Sequence, residues 1–114
     1  MHYISTAASS QSTDSLIIFL HGFPDSCHIW DQQLRSNLSE KAKLVAVDLP
    51  GCGGSDSLFI YGPDEMLNAV AEAIVQLKDR YLDAPSGSAS PQRSILVSHD
   101  WCVSKFLVNP ECDR

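Results

Sequence analysis

A three-layer α/β/α fold around a mostly parallel sheet is the architecture this 114-residue sequence predicts, on three observations. Short apolar runs recur at Leu16–Leu20, Leu44–Val47 and Ser94–Ser98. A stretch of helical periodicity separates each run from the next, and each run ends in a turn-forming segment, which is the pattern of parallel βαβ units. At this length the chain supports one hydrophobic core and therefore one domain.

The first fourteen residues are polar and rich in Ser and Thr, and only His2-Tyr3-Ile4-Ser5 has strand character. Leu16-Ile17-Ile18-Phe19-Leu20 is a continuous apolar run closed by His21-Gly22, as expected of a strand covered on both faces. In the loop that follows, Asp25 or Ser26 is a candidate cap for a helix through about Asn37. That helix would place Ile29, Trp30, Gln33, Leu34 and Leu38 along one side. Leu44–Val47 is the next strand, ended by Asp48-Leu49-Pro50 and the turn Gly51-Cys52-Gly53-Gly54.

Pro63 suits a first helical turn, with Asp64 and Glu65 near its positive end. Met66, Val70, Ala73, Ile74, Leu77 and Tyr81 then recur at helical spacing. Residues 84–93 are small, polar and bounded by prolines, a surface connection to the strand Ser94–Ser98. A further helix is expected from about Trp101.

Composition narrows the function. The chain is 44% hydrophobic and 19% charged, with a formal net charge of −6. That charge opposes binding to nucleic acid or an anionic membrane surface, so a small molecule is the expected ligand. No apolar run approaches the roughly 20 residues of a transmembrane helix, and the N-terminus has neither the basic nor the apolar region of a secretory signal, so a cytoplasmic location is expected. Cys27, Cys52, Cys102 and Cys112 show no metal-ligand spacing and read as free thiols.

The sharpest chemical signal is Ser98-His99-Asp100-Trp101-Cys102, directly after the third apolar run. It has the form of a strand-to-helix elbow, small residues flanking a central side chain that a tight turn pushes outward, here with Asp100 at the centre. An aspartate in that position can attack carbon and form an ester that water later cleaves. The plainer reading is an aspartate that caps a helix. His21-Gly22-Phe23-Pro24 supplies a glycine for close backbone approach and a proline that fixes the turn. With the amide of Trp101, the Phe23 amide can complete an oxyanion hole.

Taken together, HGFPDSCHIWDQQL, VAVDLPGCGGSD and SILVSHDWC resemble the α/β-hydrolase family, in particular its epoxide hydrolase and haloalkane dehalogenase branch, over residues 16 to about 103. The resemblance implies Asp100 as nucleophile, the backbone amides of Phe23 and Trp101 as oxyanion hole, and His21, Gly22 and Pro24 as loop-shaping residues. Asp48, Gly51, Gly53 and Ser55 match a D-x-x-G-x-G-x-S turn whose role is architectural. No cofactor and no metal are implied, and the substrate implied is a small apolar epoxide, the PDSCHIW segment favouring epoxide over halide.

Departures from the family pattern set further expectations. Ser98 and Cys102 stand where the resemblance leads one to expect glycine. The cap, acid and late histidine of the family have no counterpart here, since His2, His21, His28 and His99 all precede Asp100. Residues 1–114 are thus expected to be the N-terminal part of one domain, a truncated α/β-hydrolase fold inactive alone. The tail VSKFLVNPECDR does not match the helix expected after the elbow.

The alternatives are an inactive, partner-binding fragment, a haloalkane dehalogenase and an esterase-type hydrolase. A serine enzyme is disfavoured because Ser98 is a flanking residue, a dinucleotide site because the glycine pattern from Gly51 fails at Asp56, and a His21/Asp25/His28 metal site by its spacing. The resembled fold places the first long strand between the other two. The strand ending at Ser98 is then an unpaired apolar edge through which copies could associate.

Overall fold

The computed structural model describes residues 1–6, 14–82 and 92–100. Its four strands are β1 (Tyr3–Ser5), β2 (Ser15–Leu20), β3 (Lys43–Val47) and β4 (Arg93–Ser98), and its helices are α1 (Asp31–Leu34) and α2 (Pro63–Tyr81). The sheet order is β1-β3-β2-β4. β2 runs parallel to both β3 and β4, while β1 pairs antiparallel with β3. The expected placement of the first long strand between the other two is therefore observed.

Two apolar clusters sandwich the sheet. On one face Leu16, Ile18 and Leu20 of β2 and Val45 and Val47 of β3 meet Val70 and Leu77 of α2. Phe19, Leu44 and Ala46 point the other way and pack with Cys27, Trp30 and Leu34. Strand alternation sends successive side chains to opposite faces, so a strand covered on both must be apolar throughout. That is why β2 and β3 read as unbroken apolar runs and not as alternating ones.

α2 begins as its sequence implies. Gly62 is the extended N-cap residue, Pro63 follows in the first turn, and Asp64 and Glu65 lie near the positive end. Every residue of the expected helical stripe, from Met66 to Tyr81, is buried or half-buried. Burying Val70 and Leu77 stabilises the fold by roughly 1.5–3 kcal/mol each.

The segment after β2 departs from the single helix expected through Asn37. It forms a 3-10 turn (Cys27–Trp30), the one-turn α1, and a second 3-10 turn (Asn37–Glu40). Ser26 provides the N-cap, its hydroxyl accepting from the His28 N–H at 3.4 Å. Ser36 ends the helical run: its hydroxyl donates to the Gln33 carbonyl at 2.6 Å and its backbone turns extended. A serine that bonds the nearby backbone in this way competes with helix continuation. The break splits the expected apolar side, so Trp30 packs on Phe19 with ring centroids 5.0 Å apart while Ile29 and Leu38 are exposed.

The helix expected from Trp101, the cysteines Cys102 and Cys112, and nearly all of the 84–93 connection lie outside the described residues. Among the described residues no helix is long and apolar enough to cross a membrane.

Candidate active site at the strand ends

β2, β3 and β4 are mutually parallel, so their carboxyl ends open on the same side of the sheet. That side is where ligands bind in open parallel sheets. Three segments leave it: His21 to Asp25, Asp48 to Asp56, and His99-Asp100.

Asp100 is the one non-glycine residue among those described with a positive φ, at 63°. L-residues avoid this region because Cβ crowds the backbone, at a cost of about 1–2 kcal/mol. The strand ladder reaches as far as His99, whose N–H donates to the Leu20 carbonyl at 3.2 Å. The sharp change of direction thus falls on Asp100 itself, and its side chain is exposed at the rim.

Gly22 lies directly beneath that carboxylate. A Cβ on Gly22 would stand 2.6 Å from the Asp100 Cβ and 2.9 Å from Oδ2, closer than non-bonded atoms approach. Only a residue without a side chain leaves room for the acid. Two motifs far apart in the sequence, the glycine of HGFP and the aspartate of SHDWC, are therefore brought into contact.

The HGFP loop is held from within. His21 is fully buried. Its Nδ1 donates to the Gly22 carbonyl at 2.7 Å and its Nε2 accepts from the Leu49 N–H at 3.0 Å, which sets the tautomer with the proton on Nδ1. The 3.7 Å between Nε2 and Asp48 Oδ1 is too long for a hydrogen bond. The Asp25 N–H donates to the same Gly22 carbonyl at 3.0 Å. Phe23 is exposed and is joined to Pro24 by a cis peptide. His21 and Gly22 lie together in the loop that leaves β2. The other expected oxyanion donor, Trp101, lies outside the described residues.

Asp48, at the end of β3, braces the floor behind these loops. One carboxylate oxygen accepts from the Cys27 N–H at 2.7 Å; the other accepts from the Gly54 N–H at 2.9 Å and from His2 Nδ1 at 2.6 Å. Burial alone would push this carboxyl up. The N–H groups of Gly54 and Cys27 and the His2 ring outweigh it and bring the pKa down to about 2. Hydrogen bonds to the charged form act in this direction. Gly53, in the left-handed region at φ 52°, lets the turn wrap around the carboxylate. Ser55 completes the turn, its hydroxyl donating to the Asp48 carbonyl at 2.7 Å and accepting from the His2 N–H at 2.8 Å.

His2 escaped the sequence reading, since nothing local tells that a residue 46 positions away will seat on Asp48. Cys27 is a buried thiol, as expected, but it also faces this carboxylate. Burial, then the hydrogen bond to Asp48 and the negative charge nearby, push it up to about 12. The donor atoms of His2, Cys27 and Asp48 lie within 4.8 Å of one another. Because the Asp48 oxygens are already taken by two backbone N–H groups and the His2 ring, the set is a hydrogen-bonded brace. The His21, Asp25 and His28 grouping weighed from the sequence does not form a cluster: His28 faces Asp31 at 3.3 Å, and the His21 ring bonds the Gly22 carbonyl and the Leu49 N–H.

Comparison with known proteins agrees with the fold. The alpha/beta hydrolase family profile matches residues 17–101. Epoxide hydrolase 3 of Xenopus tropicalis is 33% identical over 100 residues, and epoxide hydrolase 4 of Homo sapiens 34% identical over 100 residues. Each alignment covers 88% of this chain and 24% of the relative. An inhibitor-bound Bacillus megaterium epoxide hydrolase superposes with a TM-score of 0.62 at 33% identity, covering 88% of this chain and 30% of that one. The chain thus spans about a quarter of the length of the curated relatives it matches.

Proposed function

Because this chain belongs to the alpha/beta hydrolase family, we propose that it carries the nucleophile and the backbone oxyanion hole of an epoxide hydrolase site, on residues that form the N-terminal part of a single domain. The observation that carries the reading is the left-handed backbone of Asp100, packed against Gly22. Backbone strain held by surrounding structure at the carboxyl end of a strand supports a functional role for the residue that carries it.

In the proposed chemistry an Asp100 oxygen attacks a ring carbon of a small apolar epoxide. The ring C–O bond breaks, its electron pair leaves on the epoxide oxygen, and that oxygen takes a proton from water. An ester between Asp100 and the opened substrate results. Water then adds to the ester carbonyl, and the N–H groups of Phe23 and Trp101 meet the negative charge that develops there. Collapse releases the diol and restores the carboxylate.

The attacking water must give its proton to a base. Three of the chain's histidines are already engaged: His2 with Asp48, His21 with Gly22 and Leu49, and His28 with Asp31. The ester on Asp100 is expected to persist long enough for its mass to be measured. Styrene oxide followed by intact-mass measurement tests the reading. One adduct on the parent chain and none on Asp100→Asn is expected, and equal labelling of the two would sink it. Epoxide is favoured over halide or ester substrates by the epoxide hydrolases among the relatives.

A second reading, a non-catalytic remnant that self-associates, draws on β4. This strand flanks the sheet, and Ile95 and Leu96 are 49% and 40% exposed. Apolar edge strands invite pairing with another chain. Sedimentation of the parent and of Leu96→Lys separates the cases: this reading requires an oligomer that the lysine disperses, and a monomeric parent rules it out.

A further inference from the structure

Three side chains that bind metals meet behind the candidate active site, each brought by a different part of the fold. His2 precedes β1, Cys27 opens the 3-10 turn after β2, and Asp48 follows β3. Hydrogen bonds to their backbones fix their places. The Asp48 N–H donates to the His2 carbonyl at 3.0 Å, the His2 N–H to the Ser55 hydroxyl at 2.8 Å, and the Cys27 N–H to the Asp48 carboxylate at 2.7 Å. An imidazole nitrogen, a sulfur and a carboxylate oxygen consequently stand within 4.8 Å of one another.

Two of the donors in this brace are replaceable. The N–H groups of Gly54 and Cys27 belong to the backbone, whereas the His2 ring and the Cys27 thiol offer Asp48 protons that a metal ion displaces. Each of those two protons lies between the carboxylate and an atom that is itself a metal ligand. A cation standing in for both keeps the carboxylate satisfied, and neither backbone N–H bond has to break.

We propose that His2 Nδ1, Cys27 Sγ and Asp48 Oδ2 form a zinc site in this chain. The donor set selects the ion: magnesium and calcium take oxygen ligands and copper(I) favours sulfur, whereas zinc accepts nitrogen, sulfur and oxygen together. With one thiolate and one carboxylate the divalent ion makes a neutral group, as a buried position demands. On binding, the Cys27 S–H bond breaks, its electron pair forms the Zn–S bond, and its proton goes to water. The His2 ring gives up the Nδ1 proton and keeps one on Nε2.

Tetrahedral zinc with bonds of about 2.0–2.3 Å holds its ligands roughly 3.3–3.7 Å apart. The 2.6 Å between His2 and Asp48 therefore opens by roughly 1 Å, a shift open to His2 because its ring is exposed. Cys27 and Asp48 are buried, so the fourth position, for water, faces the His2 side. The site ties β1 to the floor of the strand-end loops; it stands apart from the reading of Asp100 and supplies no step of epoxide opening.

Cobalt(II), whose spectrum reports thiolate ligation, tests the site in the reduced, untagged chain. Titration of the parent should give a saturable sulfur-to-cobalt band at one ion per chain, removed by an equivalent of Zn2+. The band should survive Cys52→Ser, Cys102→Ser and Cys112→Ser and vanish in Cys27→Ser. His2→Ala should weaken binding at least about tenfold, since removing even an outer partner of a metal costs that much. Circular dichroism reports whether each variant keeps its sheet.

No saturable band in the parent, or one that persists in a folded Cys27→Ser chain, would overturn the proposal. Should Cys27→Ser fail to fold, His2→Ala decides, because its ring is exposed. Weakened binding with the sheet intact supports the site, and cobalt affinity equal to the parent's would overturn it.

Discussion

Gly22 and Asp100 share one small volume: a methyl group on Gly22 would stand 2.6 Å from the Asp100 Cβ. The contact joins the carboxyl ends of β2 and β4, neighbouring parallel strands paired from Ser15↔Arg93 to Leu20↔Ser98. It ties the exposed carboxylate to a loop that His21 holds from below.

Gly22→Ala is therefore expected to displace the Asp100 side chain or the turn that carries it. Adduct formation with styrene oxide should fall at least about tenfold, a change of roughly 1.4 kcal/mol or more in the barrier. The β2 and β3 core should remain, because no positive φ is required at Gly22. Labelling rates with a parallel circular dichroism spectrum check both halves of the expectation.

Asp100→Gly should separate stability from function. Glycine adopts the left-handed region without penalty, so the variant relieves about 1–2 kcal/mol of backbone strain while losing the nucleophile. Chemical denaturation should show a gain of about 1 kcal/mol, together with loss of the epoxide adduct. A variant no more stable than the parent would mean that the strain is not stored at this residue.

Much of this site was legible in the sequence because its determinants are local. A five-residue apolar run can be read as a doubly covered strand, and the order of HGFP, the glycine turn and SHDWC places Asp100 at a strand end. Helical spacing from Met66 to Tyr81 gave α2 from end to end. Ser36 was harder: its side-chain bond to the Gln33 carbonyl interrupts a pattern that is helical on paper. The seat of His2 on Asp48 joins residues 46 positions apart through the antiparallel pairing of β1 with β3, and no local pattern records it.

Asp48 predicts the response to acid. Its pKa falls from the ordinary 3.8 to about 2 in the folded chain, so the unfolded chain binds the proton more readily. The resulting stability is fully present above pH 3.8 and is lost as the pH falls from there through about 2. Its size is on the order of 2 kcal/mol. Urea denaturation of the parent and of Asp48→Asn should give curves whose separation shrinks by about that amount between neutral pH and pH 2. A separation independent of pH would show that the carboxylate is not held in this way.

Locating the adduct by peptide mapping after styrene oxide treatment is the most direct measurement of the central claim. Thiols are the rival nucleophiles, but only the thiolate reacts, and of the two described cysteines Cys27 is buried with its pKa pushed up to about 12. Burial and the Asp48 charge also raise Cys52. The account predicts one alkyl ester on Asp100, cleaved by hydroxylamine. Modification confined to cysteines, with Asp100 recovered unaltered from a folded chain, would contradict it.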